Sequence, residues 1–163
     1  MEQKEIEPMV RAALGPFFPW ILLGLTLVFA ILGWLLGTPF WKAYLSSGAF
    51  FMGGVQGVWA AFAHLLNPEK TARGIGWEKS PFQTEMGFTN LAIGITGLLS
   101  FFYPSWSVAV ALIVAILFAG CAFVHIKDLI ENKNTAPFNA GPMLLSTIIT
   151  ALTLFIALFS NLS

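Results

Sequence analysis

The chain predicts an all-α integral membrane bundle of five transmembrane helices, and three observations carry that reading. The first is composition. Of 163 residues, 57% are hydrophobic and only 10% are charged, and the mean hydropathy is +0.80. A soluble domain carries roughly 25% charged residues, so there is too little polar surface here to cover a soluble globule. The second is segmentation: five apolar runs approach or reach the ~20 residues that span a bilayer. The third is the placement of Lys and Arg, which sets one face of the membrane apart from the other.

The runs fall at about 17–37, 47–66, 81–102, 105–126 and 141–160. All five are expected as helices, because an open sheet edge cannot satisfy its backbone in lipid. The short join Tyr103-Pro104-Ser105-Trp106 predicts an antiparallel hairpin of the third and fourth, with Ser105 as a cap. Lys4, Arg11, Lys70, Arg73, Lys79, Lys127 and Lys133 collect on the side of the N-terminus, and only Lys42 falls on the other. That asymmetry predicts a cytoplasmic N-terminus and an outside C-terminus in the cell's inner membrane. Residues 1–163 read as a single transmembrane domain, since the polar segments 67–80 and 127–140 are too short to hold a core. The opening MEQKEIEPMVRAALG mixes its charges and does not read as a secretory signal.

The balanced charge of eight basic and eight acidic residues offers nothing to nucleic acid, and the single cysteine, Cys121, excludes an internal disulfide. The expected partners are the lipid bilayer, a small amphipathic or anionic ligand, and a second copy or a larger membrane complex.

The third run opens with polar residues. Ser80-Pro81-Phe82-Gln83 has capping-box spacing, with Ser80 capping and Gln83 reaching back. Glu85, one turn in, suits the positive end of the helix dipole. Gly87, Asn90, Gly94 and Gly97 make one small face that invites close helix contact, and Glu85, Thr89, Ala92 and Thr96 make a second, weakly polar one. A helix with two such faces is expected at the centre of the bundle, with Asn90 as an interhelical hydrogen-bonding residue or a ligand contact. In the second run Gly53, Gly57, Ala60 and His64 share a face, with Gln56 nearby. The fifth carries Ser146, Thr150, Thr153 and Ala157 at helical spacing.

A short internal similarity stands out. The second run ends Ala-Phe-Ala-His at His64, and the fourth ends Ala-Phe-Val-His at His125. After each comes a polar segment, and then Ser-Pro-Phe-Gln (80–83) or Ala-Pro-Phe-Asn (136–139). This is the pattern of a parallel repeat about an axis near the membrane normal. It places His64, Glu85 and His125 at one depth near the cytoplasmic face, with Cys121 one turn from His125. Intramembrane ionisable groups are candidate functional residues.

Four readings of the cluster compete. The charges match helix ends and bind nothing. The residues His64, Glu85 and His125 line a pocket for a small molecule or headgroup, with Asn90 deeper and Trp59 in its wall. They hold a metal, with His64, Glu85, Cys121 and His125 as ligands. Or the two histidines bind a haem. No cofactor is singled out by a motif.

The strings GWEKSPFQTEMGFTNLAIG (76–94) and NTAPFNAGP (134–142) resemble an uncharacterised, domain-of-unknown-function family of small multi-spanning prokaryotic membrane proteins. The resemblance extends from about residue 45 to the C-terminus. It implies a helical membrane fold and supplies no activity. The favoured function is binding or transport at a cytoplasm-facing pocket. The alternatives are an accessory subunit acting through helix assembly, and an intramembrane acid–base or metal-dependent enzyme on a lipid or quinone. No nucleophile elbow, phosphate loop or metalloprotease motif supports the last.

Overall fold

The computed structural model describes residues 15–161, so Lys4, Arg11, the rest of the N-terminal segment and the last two residues lie outside the described residues. Among the described residues all regular structure is helical and there is no strand. Helix α1 is Phe18–Leu35, α2 is Phe40–Leu66, α3 is Pro68–Ile75, α4 is Phe82–Leu99, α5 is Ser107–Glu131 and α6 is Gly141–Ser160. Four of them, α1, α2, α5 and α6, are long and apolar enough to cross a membrane. The protein is therefore a helical membrane protein. Helix α4, the third expected span, is 18 residues long. Gln83, Glu85 and Asn90 dilute its apolar run, and it is not among the four.

Chain breaks fall where backbone chemistry requires them. Gly37 adopts φ +94 after α1. The amide of Thr38 then reaches back to Gly33 O at 2.9 Å, and Pro39 prevents continuation. Gly76 ends α3 in the same way at φ +82, and the Trp77 amide bonds to Ala72 O at 2.9 Å. Helix α2 starts at Phe40, well ahead of the expected 47, because Tyr44 and Ser47 find partners inside the protein. Tyr44 Oη lies 2.8 Å from Thr153 Oγ1 of α6, and Ser47 Oγ donates to Thr26 O of α1 at 2.9 Å. Within α2, residues Ala49–Val55 form a π-helical stretch.

Small residues fill the interior and large ones face outward. Ala30, Ala49, Ala111, Ala115 and Ala157 are fully buried, while Phe29, Trp34, Ile113, Ile116 and Phe159 are exposed. In lipid there is no hydrophobic gain from burying one apolar helix face against another, so close backbone approach decides the packing. The tightest seam runs between α2 and α4. A Cβ on Gly57 would lie 2.8 Å from Gly94 Cα, and one on Gly94 would lie 2.6 Å from Val58 N.

Helix α2 is the central helix, packed on α1, α4, α5 and α6. This corrects the expectation that the helix from residue 81 is central. Helix α4 seats its glycine face on α2 and leaves Phe88, Ile95 and Leu99 exposed. Its second polar face needs no neighbour, since Thr89 Oγ1 and Thr96 Oγ1 donate to Glu85 O and Ala92 O of the same helix. Helices α4 and α5 follow one another across the 100–106 turn, but they make few contacts. Ser105 caps no helix: it lies inside a 3-10 turn, Pro104–Trp106, with no side-chain cap bond.

One end of the bundle gathers the start of α1, the end of α2, the start of α4, the end of α5 and the start of α6. Trp20 Nε1 donates to Pro142 O at 2.9 Å there. Helix α3 and the 132–140 loop close over this end, joined by the Phe138 amide donating to Gly74 O at 3.1 Å.

Candidate functional site

Each histidine at this end is held by a side-chain amide from the next segment. His64 Nδ1 lies 2.7 Å from Gln83 Oε1, and His125 Nδ1 lies 2.7 Å from Asn139 Oδ1. An amide oxygen only accepts, so Nδ1 carries the proton in both rings. Gln83 and Asn139 are 1% and 0% exposed. They occupy the same position, the fourth, of Ser-Pro-Phe-Gln and Ala-Pro-Phe-Asn. The two short similarities in the sequence thus correspond to one device built twice: a histidine in the last turns of α2 or α5, pinned by a buried amide at the start of α4 or just before α6; α5 itself runs on past the expected end at 126 to Glu131.

This corrects the capping-box expectation. Helix α4 has no side-chain cap bond, and its Gln83 is spent on His64. The local spacing fitted a cap, but the half-buried imidazole across the seam is the stronger competitor for the buried Gln83 amide, because an unpaired buried polar group costs about 1–3 kcal/mol.

A closed polar ring surrounds His125. Asn139 Nδ2 donates to Asn134 O at 2.8 Å, and Asn134 Nδ2 donates to Asp128 Oδ2 at 2.6 Å. Trp77 Nε1 donates to the same oxygen at 2.9 Å. The Trp77 ring then stacks on His125 at 5.5 Å between centroids and 18° between planes. Gly76 lets this happen, since a Cβ there would run into the Asn134 amide. Sequence reading missed Trp77, Asp128, Asn134 and Asn139 as one group. The signal was present in the two distinctive strings, 76–94 and 134–142, which supply three of the four.

Between α2, α4, α5 and α6 lies a cavity of about 350 Å³. Its wall includes His64, His125, Asn90, Trp59 and Cys121. The structure thus brings together four of the five sequence-derived site residues. Glu85 does not join them: it is on the exposed face of α4 and is absent from the cavity wall. Neither is there any group of three His, Cys, Asp or Glu side chains among the described residues that could hold a metal. The metal site drawn from His64, Glu85, Cys121 and His125 therefore has no geometric counterpart.

Asn90 does not bridge helices. Its Nδ2 donates to Met86 O, one turn earlier in α4, at 2.8 Å. Gln56, read in the sequence only as a neighbour of the small-residue face, was not among the expected site residues. It is 8% exposed, lines the cavity, and its Oε1 is buried with no hydrogen-bond partner. Trp59 packs on Phe18 of α1, with ring centroids 5.1 Å apart, and so closes the wall on that side.

The lining is ordered by depth. Lys70, Thr71 and Phe138 stand at the end closed by α3 and the 132–140 loop; the two histidines come next; Met52, Ile93 and Val114 form the far end. From His64 to Met52 is about 18 Å along α2. Among the described residues the wall contains no Asp or Glu. Chemically, this is an apolar sleeve with hydrogen-bonding groups and the potential for positive charge concentrated toward one end.

No curated protein and no solved structure matches the chain. A family model does match, over residues 16–162, nearly the whole length and well beyond the span from residue 45 that its motifs suggested. The chain belongs to DUF6790, a family of unknown function.

Proposed function

We propose that the protein binds or transports a small amphipathic or anionic molecule in this cavity, and that the molecule enters from the cytoplasmic leaflet of the inner membrane. The carrying observation is the cavity itself. Its volume lies at the small end of the range for ligand pockets, roughly 300–1,000 Å³, and its wall is mostly apolar with a few convergent polar groups. His64, His125 and Asn90 are the polar contacts in this reading, and Trp59 is a wall contact. The buried, unpartnered Oε1 of Gln56 is further support, because buried polar atoms in native proteins almost always have partners.

The topology in this proposal has five spans, α4 included, with the N-terminus in the cytoplasm and the C-terminus outside. Lys70, Arg73, Lys79, Lys127 and Lys133 all belong to the segments at the histidine end, which agrees with that orientation.

An accessory subunit is the weaker reading. The small-residue stripe of α2 that would serve assembly is already used inside the chain against α4. Native mass spectrometry of the full chain released from a mild detergent tests the binding reading. The expected result is a co-purifying small molecule that is lost when Gln56→Leu and Ala60→Phe narrow the cavity. A folded, ligand-free protein whose melting temperature no membrane extract raises would overturn it.

A further inference from the structure

We infer that the ligand is a single-chain amphiphile with an anionic head, a carboxylate or a phosphate, bound with its head between His64 and His125 and its chain running toward Met52. This inference rests on the binding reading above and adds the chemistry and the direction of the ligand.

The argument begins with the imidazoles. Both donate Nδ1–H to a buried amide oxygen at 2.7 Å, so Nε2 is the atom each ring has left to offer. No described residue hydrogen-bonds either Nε2, and both rings line the same cavity. In the neutral ring Nε2 accepts; protonated, it donates. Two such atoms match a head with at least two oxygens. One imidazole takes the acidic proton of the head: the O–H bond breaks, an Nε2–H bond forms, and the oxygen keeps the electron pair. The imidazolium then donates to that oxygen. For a carboxylic acid the ligand supplies the proton, so a neutral acid and a neutral ring become an ion pair with no net charge moved into the bilayer; a phosphate monoester arrives as a monoanion and gives up its second proton in the same way, leaving one net negative charge for the second imidazole and Lys70 to face. A lone charge there is far more costly than a paired one.

The surroundings exclude a cationic head. Lys70 lines the same end of the cavity, and no carboxylate does so among the described residues. The nearest acid on the histidine's own helix, Asp128, is occupied by Trp77, Asn132 and Asn134. Glu85 lies on the outer face of α4.

Shape supplies the chain. Beyond the histidines the wall offers Met52, Ile93, Val114, Leu117 and Phe118. From Val114 to His125 along α5 is about 16 Å, close to the about 18 Å along α2. A slot that long with a volume of only about 350 Å³ admits one extended chain.

The test uses the full chain in lipid nanodiscs and dodecanoate, dodecyl phosphate, dodecanol, dodecyltrimethylammonium, acetate and inorganic phosphate as probes. Binding is read by displacement of a fluorescent fatty acid, with direct titration of tryptophan fluorescence as a check. Dodecanoate or dodecyl phosphate is expected to bind at least tenfold more tightly than dodecanol, and the ammonium amphiphile not at all. The better of the two acids names the head. His64→Phe and His125→Phe are each expected to lose about tenfold or more in affinity for the acid while leaving dodecanol within about threefold, since a hydrogen bond to a charged group is at stake. Lys70→Ala, an exposed side chain at the same end of the cavity, is expected to weaken the acid and spare dodecanol without touching a buried bond, and Glu85→Gln is expected to change nothing. Equal binding of acid and alcohol, with all variants alike, would sink the anionic head but leave an apolar binding pocket. Acetate or phosphate binding as tightly as the amphiphiles would sink the chain. If no amphiphile binds, both this inference and the binding reading fall.

Discussion

At the scale of single residues, the decisive contacts are two imidazole–amide bonds. Gln83 and Asn139 have almost no exposure, and replacing either by leucine leaves an Nδ1–H without a partner; at Asn139 the change also adds volume and removes the donor to Asn134 O. Gln83→Leu and Asn139→Leu are each expected to cost about 1–3 kcal/mol, read as a lower melting temperature in detergent. Glu85→Leu, on the exposed face, should leave it unchanged. An unchanged melting temperature in both amide variants would mean that the bonds at 2.7 Å contribute nothing. Both histidines were legible as candidates from their place at the ends of the apolar runs, although α5 continues past His125 to Glu131, and the amides were legible as a repeated x-Pro-Phe-[Gln/Asn]. The bond between them was not. A residue four positions into a local motif is first explained by that motif, and only the packing of α2 on α4 shows that His64 is within its reach. Glu85 shows the reverse error. It stands near the level of His64 along the bundle, two residues from Gln83, but level does not fix the side of the helix on which a residue stands.

At the scale of helices, the seam between α2 and α4 is set by backbone contact through glycine. Gly57 and Gly94 leave no room for a Cβ without displacing main chain, whereas Gly24 and Gly120 have open space around theirs. Gly57→Leu and Gly94→Leu are therefore expected to destabilise by at least the 1–3 kcal/mol typical of overpacking and to increase proteolysis of the 67–81 segment. Gly24→Leu and Gly120→Leu should be neutral in both measurements. This seam was visible in the sequence as small residues at three- and four-residue spacing, because close approach demands that spacing on both partners. What the spacing hid was how the helices are shared out. Helix α4 has one seam and one outer face, and α2 takes the centre because its π-helical stretch and its early start at Phe40 put it against four neighbours. Ordinary periodicity carries no sign of a π turn, and Trp41, Lys42 and Tyr44 look like the end of a loop until Thr153 is seen to receive Tyr44.

At the scale of the whole molecule, α4 is expected to cross the bilayer beside the four more apolar helices. Its polar side chains argue that it can. Thr89, Asn90 and Thr96 all donate to carbonyls one turn back in the same helix, and Gln83 is turned inward onto His64. Groups satisfied in this way add little to the cost of burying a helix in lipid. If α4 spans, Lys79 and Ser105 stand on opposite faces of the membrane; if it does not, they share a face. In a Cys121→Ala background, Ser105→Cys is expected to react with an impermeant maleimide in intact cells. Lys79→Cys is expected to react only after the cells are broken. Lys79 lies between helices and Ser105 in the 3-10 turn Pro104–Trp106; both are exposed and pack no core, so neither change should disturb the fold. Labelling of both from the same side would remove α4 from the spans. It would also separate the two histidine–amide devices, which need α4 and α6 to enter the membrane from the same face.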